Sequence, residues 1–264
     1  GANQAIAASR LAADTTFISK IGKDGNANFI LEDFKKAGIH TQYILTSESE
    51  ETGQAFITVD EAGQNTILVY GGANMTLSAT DVEMSAEAFI GADFVVAQLE
   101  VPFEAIEQAF KIARKQNITT VLNPAPAIEL PKSLLELTDI IIPNETEAEL
   151  LTGISINNES DMKETATYFL DLGISAVLIT LGEQGTYCAY QEQYKMIPAC
   201  NVKAVDTTAA GDTFIGAFLS ELNKDLSNLE SAIRLANQAS SLTVQRKGAQ
   251  ASIPTRKEVE AEYN

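Results

Sequence analysis

"DFVVAQLEVPFEAIEQAFKIARKQNITTVLN" (residues 93–123) holds a strand-like apolar run (93–99), a helical pattern near 103–115 and a second run, "ITTVLN" (118–123). Working outward, the same alternation recurs. "TTFISKIG" (15–22) precedes a helix near 26–37. "DIIIP" (139–143) precedes helices near 145–151 and 160–172, and "SAVLITLG" (175–182) follows them. Apolar strands separated by helices form βα units on a mostly parallel sheet covered on both faces, so the expected class is α/β. Residues 41–75 break the pattern. "QYILT", "GQAFITVD" and "QNTILVYGG" follow one another without a helix, the last two flanking the turn-like "EAGQ" (61–64), which predicts an antiparallel flap or lid. From about 211 the chain is mostly helical: one helix to about 223, one from 228 to 245, and a short one after Pro254. No repeat or composition break divides the chain, so residues 1–264 are expected to form a single domain.

Composition narrows the function. With 264 residues and 45% hydrophobic content there is material for one large core. Lys and Arg number 18 against 36 Asp and Glu, a net charge of -18, which argues against nucleic acid as a partner. No apolar run reaches the roughly 18 residues that span a bilayer, so no membrane partner is expected. Cys188 and Cys200 have no metal-type spacing and read as buried thiols of a reducing compartment, which points to the cytoplasm. The chain opens in a helical stretch, "GANQAIAASRL" (1–11), without a preceding strand, and we expect a piece of a longer protein.

Two nucleotide signatures are missing: G-x-x-x-x-G-K-[ST], and a strand-coupled G-x-G-x-x-G. One histidine, His40, leaves no material for a Ser-His-Asp triad or a two-histidine metal site, and it reads as a surface residue. Carboxylates and backbone amides must then do the chemistry. "DTTAAGDTF" (206–214) offers both. Ala209, Ala210 and Gly211 lead into an apolar helix, so their amides and the positive end of the helix dipole favour an anion, and small side chains allow it to approach. Asp212 also reads as an ordinary acid of a first helical turn. Two aspartates bracketing so small a turn exceed what capping requires.

The same stretch closely resembles the signature of the ribokinase-like carbohydrate kinases, the PfkB family. "GANQA" (1–5), "SKIGKDG" (19–25), "QLE" (98–100), "NPAPA" (123–127), "PNETEAELLTG" (143–153), "TLGEQG" (180–185) and "RKGAQASIP" (246–254) extend the resemblance along the chain in order. It implies a three-layer α/β/α core with a small β lid, and transfer of the γ-phosphate of ATP to the 5-hydroxyl of D-ribose. Asp212 would be the catalytic base, with Ala209, Ala210 and Gly211 as anion hole. Asp206 would bind a monovalent cation, normally K+, with Thr208 and the loop holding Gly248 and Ser252; hard oxygen ligands suit such an ion. Asn144 and Glu147 would lie near the ATP phosphates and the water shell of Mg2+. They also form a helix-capping pattern on their own. Thr180 and Gly182, in what otherwise reads as a hairpin turn, would meet the nucleotide. Asn237 would approach adenine, although a polar helix position is ordinarily solvated. Asn3 and Glu100 would hydrogen-bond ribose, Glu100 standing at the carboxyl end of a core strand where ligands of open α/β sheets gather.

Family members begin with a strand, a sugar-binding segment and further lid strands that have no counterpart here. That leaves a sister kinase for another sugar or a nucleoside, or a noncatalytic binding remnant, as alternatives. Kinases of this kind commonly form homodimers through the lid, and the exposed faces of the hairpin at 54–70 suit that role.

Overall fold

The computed structural model describes residues 1–59 and 65–263. Its centre is a six-stranded sheet in the order β10-β9-β8-β7-β6-β5. These strands are β5 (Phe94–Ala97), β6 (Thr119–Leu122), β7 (Ile140–Ile141), β8 (Ala176–Thr180), β9 (Thr186–Tyr190) and β10 (Gln193–Ile197). β5 to β8 run parallel, and β9 and β10 add antiparallel. Side chains of a strand alternate between faces, and here both faces are apolar. Val121, Ile140, Ala176, Leu178 and Cys188 enter one core, while their neighbours Leu122, Ile141, Val177, Ile179 and Tyr187 enter the other. Burial on both sides is why these strands read as unbroken apolar runs.

The first core is closed by α8 (Ala210–Glu221), α9 (Leu229–Val244) and α10 (Arg256–Tyr263). The second is closed by α4 (Phe103–Lys115), α6 (Glu145–Thr152) and α7 (Glu159–Asp171), with short α5 (Lys132–Leu135) at its edge. The expected three-layer α/β/α arrangement is therefore present. α1 (Ala2–Arg10) crosses α8, and Leu11 directly after it enters the first core. A short α3 (Ala79–Met84), closed by a Ser78–Asp81 capping box, packs with α4.

Two sequence expectations change. β1 (Ser19–Ile21) lies outside the six-stranded sheet, and β2 (Ile44–Thr46), the "QYILT" segment, is no part of the antiparallel insert. The two pair in parallel, Ser19 with Ile44 and Ile21 with Thr46. The reason is α2 (Gly25–Ala37), which separates them and supplies the crossover that a parallel pair requires. Ile44 and Leu45 pack beneath into the neighbouring apolar clusters. The antiparallel hairpin is limited to β3 (Gln54–Val59) and β4 (Asn65–Tyr70), and the expected "EAGQ" turn lies outside the described residues.

The base of this hairpin is tied to α2. Asp24 caps the helix by accepting from the Ala27 N–H (2.9 Å) and also accepts from the N–H (2.7 Å) and hydroxyl (3.0 Å) of buried Thr52. The Thr52 and Ala27 N–H groups hold the Asp24 carboxyl below its usual range.

α8 is apolar on nearly every side, with Thr213 to Phe218 all buried. Such a helix has to be enclosed, and its enclosure by α1 requires Gly216. A Cβ there would sit 2.5 Å from Ala7 Cβ, 2.6 Å from the Ala8 nitrogen and 2.8 Å from the Gln4 carbonyl. Two of these are backbone atoms that cannot step aside. Gly216→Ala is expected to push α1 off α8 and to destabilise the fold by about 1–3 kcal/mol. A thermal melt showing an unchanged midpoint would contradict this account of the crossing.

Candidate active site

The amino end of α8 opens at the carboxyl edge of the parallel strands, beyond the ends of β5, β6 and β7. Ala209, the residue that starts the helix, has φ +62°. The Ala210 N–H donates to the Thr207 carbonyl (3.2 Å) and the Thr213 N–H to that of Ala209 (2.8 Å). Among the described residues no acceptor faces the N–H groups of Gly211 and Asp212. Of the amides expected at Ala209, Ala210 and Gly211, that of Ala210 is used within the turn, while those of Ala209 and Gly211, like that of Asp212, meet no acceptor among the described residues. No atom lies within 4 Å of where a Gly211 Cβ would stand, so the space before these donors is clear. Free amides at a helix start attract an anion.

The Asp212 carboxylate stands beside them, each oxygen held by one amide. Asn3 Nδ2 donates to Oδ2 (2.9 Å) and Gln4 Nε2 to Oδ1 (3.1 Å). Both donors come from the first turn of α1, so the crossing at Gly216 brings them within reach. Gln4 Nε2 also donates to Asn123 Oδ1 (3.0 Å), Gln98 Nε2 donates to Gln4 Oε1 (2.6 Å), and Asn123 Nδ2 donates to the Ile142 carbonyl (3.0 Å). Gln98 and Asn123 follow directly on β5 and β6. Glu100 is half-exposed at the same edge, 2.7 Å from the Gly1 nitrogen. Asn3, Glu100 and Asp212 thus share one end of the sheet.

Gln4, Gln98 and Asn123 were not singled out from sequence, although each lay inside a quoted motif. Their signal was available as a polar side chain in a small-residue helix and as polar residues directly ending apolar strands.

Further along the edge, Asn144 and Glu147 form a complete capping box at the start of α6. Asn144 Oδ1 accepts from the Glu147 N–H (2.8 Å), while the Glu147 carboxylate accepts from the Asn144 N–H and Nδ2 (2.9 Å each). Glu147 is only 6% exposed, and burial pushes its carboxyl up, against the opposing pull of the Asn144 N–H. Thr180 lies beside this box, its N–H donating to the Pro143 carbonyl (2.9 Å). Gly182, at φ +55°, has open space around its α-carbon.

Asn237 departs from expectation. It is not solvated but 7% exposed, its Oδ1 accepting from the Thr186 hydroxyl (3.1 Å) and its Nδ2 donating to the carbonyls of Ile197 (3.2 Å) and Pro198 (3.1 Å). Its amide joins α9 to β9 and β10.

Asp206 organises the loop before α8. Its oxygens accept from the N–H groups of Thr208 and Gly248, 2.9 Å each. The Thr208 hydroxyl, then the Gly248 N–H, hold its carboxyl below the usual carboxylate range. Gly248 thus turns a donor to Asp206, leaving only its carbonyl as a cation ligand. The Ser252 hydroxyl is fully buried and donates to the Ala249 carbonyl (2.6 Å), which keeps its oxygen lone pairs available. Carboxylate, hydroxyl and carbonyl oxygens form a hard donor set that fits an alkali ion and not a soft metal. No group of three or more His, Cys, Asp and Glu side chains suited to a metal occurs among the described residues. His40 is a surface residue as expected, half-exposed beside Asp14 (2.8 Å). No helix among the described residues is long and apolar enough to cross a membrane.

The chain is 64% identical over 259 residues to ribokinase of Staphylococcus aureus (strain COL), an alignment covering 98% of this chain and 85% of that protein. It is 52% identical to the bifunctional ribokinase/ribose-5-phosphate isomerase A of Fructilactobacillus sanfranciscensis, matching 98% of this chain and 48% of that one. The structure of Arabidopsis thaliana ribokinase complexed with ribose and ATP superposes with a TM-score of 0.90 at 33% identity, over 99% of this chain and 85% of that one. A family profile described as pfkB family carbohydrate kinase matches residues 1–256, and the chain belongs to that family.

Proposed function

We propose that the chain is an ATP-dependent kinase that transfers the γ-phosphoryl group to the 5-hydroxyl of D-ribose, with Asp212 as the base. The observation that carries this is the Asp212 carboxylate, oriented by Asn3 and Gln4 next to the open N–H groups of Gly211 and Asp212. In the reaction the sugar O5 forms a bond to the γ-phosphorus, the bond to the β,γ-bridging oxygen breaks, and the O5 proton passes to Asp212. Because the transition state is loose, the proton leaves late and a carboxylate suffices to orient the hydroxyl and take it. The open amides and the dipole of α8 stabilise charge on the transferring group. Asn3, with its Nδ2 on Asp212, keeps Oδ1 free to accept from a sugar hydroxyl, and Glu100 supplies further acceptors. The names of the relatives, and the ribose and ATP bound by the Arabidopsis protein, support this substrate pair.

Mg2+ would neutralise phosphate charge when bound. Asn144 and Glu147 suit its water shell, since the Glu147 oxygens retain lone pairs beyond those facing Asn144. Thr180 and Gly182 line the adjoining open edge for the nucleotide. K+ would be held by Asp206, Thr208, Ser252 and the Gly248 carbonyl, and would fix the loop that starts α8. The hairpin presents Phe56, Leu68, Val69 and Tyr70, with Leu68 69% exposed, and a homodimer through this face would cover them. Two unpaired thiols, Cys188 and Cys200, accord with the cytoplasm.

ATP-dependent ribose phosphorylation, followed by ADP release with fructose and 2-deoxyribose in parallel, tests the central claim. Asp212→Asn is expected to lower kcat by about 10²–10⁴-fold with an unchanged melting midpoint. Turnover of another sugar but not ribose would refute the substrate, and an active Asp212→Asn would refute the base.

The Asp206 loop gives a second test. Asp206→Ala is expected to speed hydrogen exchange at the Gly248 and Thr208 amides and to abolish activation by added K+. Because the folded carboxyl lies below the ordinary aspartate value of 3.8, the tie is fully present above that pH and lost as pH falls through the lower folded value. Protection of the wild-type Gly248 amide, taken relative to an unstructured amide at the same pH, should therefore hold at neutral pH and fall only in strong acid. K+ activation that survives Asp206→Ala would place the cation elsewhere.

A further inference from the structure

We infer that Gln4 is a positioning residue for the phosphoryl transfer: a buried amide whose only compatible orientation aims an N–H at Asp212 and so fixes the attitude of the base. The inference rests on Asp212 being the base. Gln4 is 3% exposed, and its neighbours in the array are equally specific. An amide side chain has one donor end and one acceptor end, and in most settings the two ends are interchangeable by a flip. Here three partners forbid the flip.

At the far end, the Ile142 carbonyl can only accept, so Asn123, 8% exposed, must turn its NH2 toward it and present its oxygen to Gln4. That oxygen requires a donor from Gln4, which Nε2 supplies at 3.0 Å. The other Nε2 hydrogen then points to Asp212 Oδ1 at 3.1 Å, and Oε1 is left to accept from Gln98 Nε2 at 2.6 Å. Reversing Gln4 would set its carbonyl oxygen against the Asn123 oxygen and a carboxylate together. Leaving buried polar groups unpaired costs more than forming the bonds returns, so the array is locked as a unit. Asp212 therefore meets a fixed donor rooted in β5, β6 and the segment after β7. Among the described residues, both side chains that hydrogen-bond its carboxylate, Asn3 and Gln4, are neutral amides, as are the Gln98 and Asn123 side chains behind them.

A base that must face a sugar hydroxyl loses rate steeply when misaligned. The experiment compares kcat, the KM for ATP and for ribose, and the pH dependence of kcat in wild type, Gln4→Met, Gln4→Glu, Gln98→Met and Asp212→Asn, with thermal melts on each. Gln4→Met keeps the volume and removes the donor; kcat should fall about 10- to 100-fold with the KM for ATP unchanged. Gln4→Glu sets a second carboxylate against Asp212, so the acid limb of the kcat profile should move to higher pH by about one unit. A purely structural role would lower the melting midpoint without moving that limb.

The failures are separable. If Asp212→Asn keeps its kcat, the base assignment is wrong whatever Gln4 does. If Asp212→Asn is inactive while Gln4→Met holds kcat within about twofold of wild type and Gln4→Glu leaves the limb in place, then Gln4 does not position the base. Should both Gln4 variants fail to give a melting transition, Gln98→Met decides. It frees the acceptor end of Gln4 while leaving the donor in place, so a reduced kcat at unchanged KM for ATP supports the proposal and a wild-type kcat overturns it.

Discussion

The site depends on one steric constraint, the contact of α1 with α8 at Gly216. α8 carries the open amides and Asp212 at its start, and it is buried along Thr213 to Phe218. α1 carries Asn3 and Gln4 at its own start. A helix enclosed on all sides cannot be shifted independently, and closely packed interiors transmit any displacement. The absence of a side chain at position 216 therefore sets the distance between the base and its two amide donors, roughly one helical turn away. The sheet contributes from the other side, because Gln98 and Asn123 extend the ends of β5 and β6 into the same space.

An anion site in a chain of net charge -18 has to be local. Unpaired N–H groups and the helix dipole at the α8 start supply such a local field. Their field acts at close range, whereas the surface carboxylates are screened over about 8–10 Å at physiological ionic strength. Global acidity and local anion affinity are compatible for that reason. The Asp206 carboxylate, tied to the N–H groups of Thr208 and Gly248, holds the loop leading into the helix and keeps the open amides of 211 and 212 in register.

Much of this was legible in the sequence, and the limits have physical causes. Strands buried on both faces leave unbroken apolar runs, so the layered α/β core could be read directly. β2 was placed wrongly because "QYILT" resembles its hairpin neighbours in composition, while its pairing with β1 is decided by the helix before it. The Asp212 loop was readable since its chemistry is contiguous. The amide array was not, because its bonds join residues 94 to 209 positions apart, and no local pattern records such contacts. Asn237 was misjudged from the ordinary behaviour of polar helix positions. α9 turns that position inward, where the open ends of β9 and β10 supply partners for its amide.

The choice of amides around Asp212 has a chemical logic. A Lys or Arg in the place of Gln4 could hold the carboxylate as firmly, but a neighbouring cation stabilises the ionised form and weakens its attraction for a proton. It would also compete for the transferring phosphoryl group. A neutral donor fixes direction with a smaller effect on proton affinity, since it places no full positive charge beside the carboxylate. Neutral donors demand in return that their own orientation be fixed, because an amide that flips becomes a repulsive neighbour to the carboxylate. The chain of Asn123, Gln98 and the Ile142 carbonyl removes that freedom, which explains why buried Gln4 and Asn123 and half-buried Gln98 stand behind a single base.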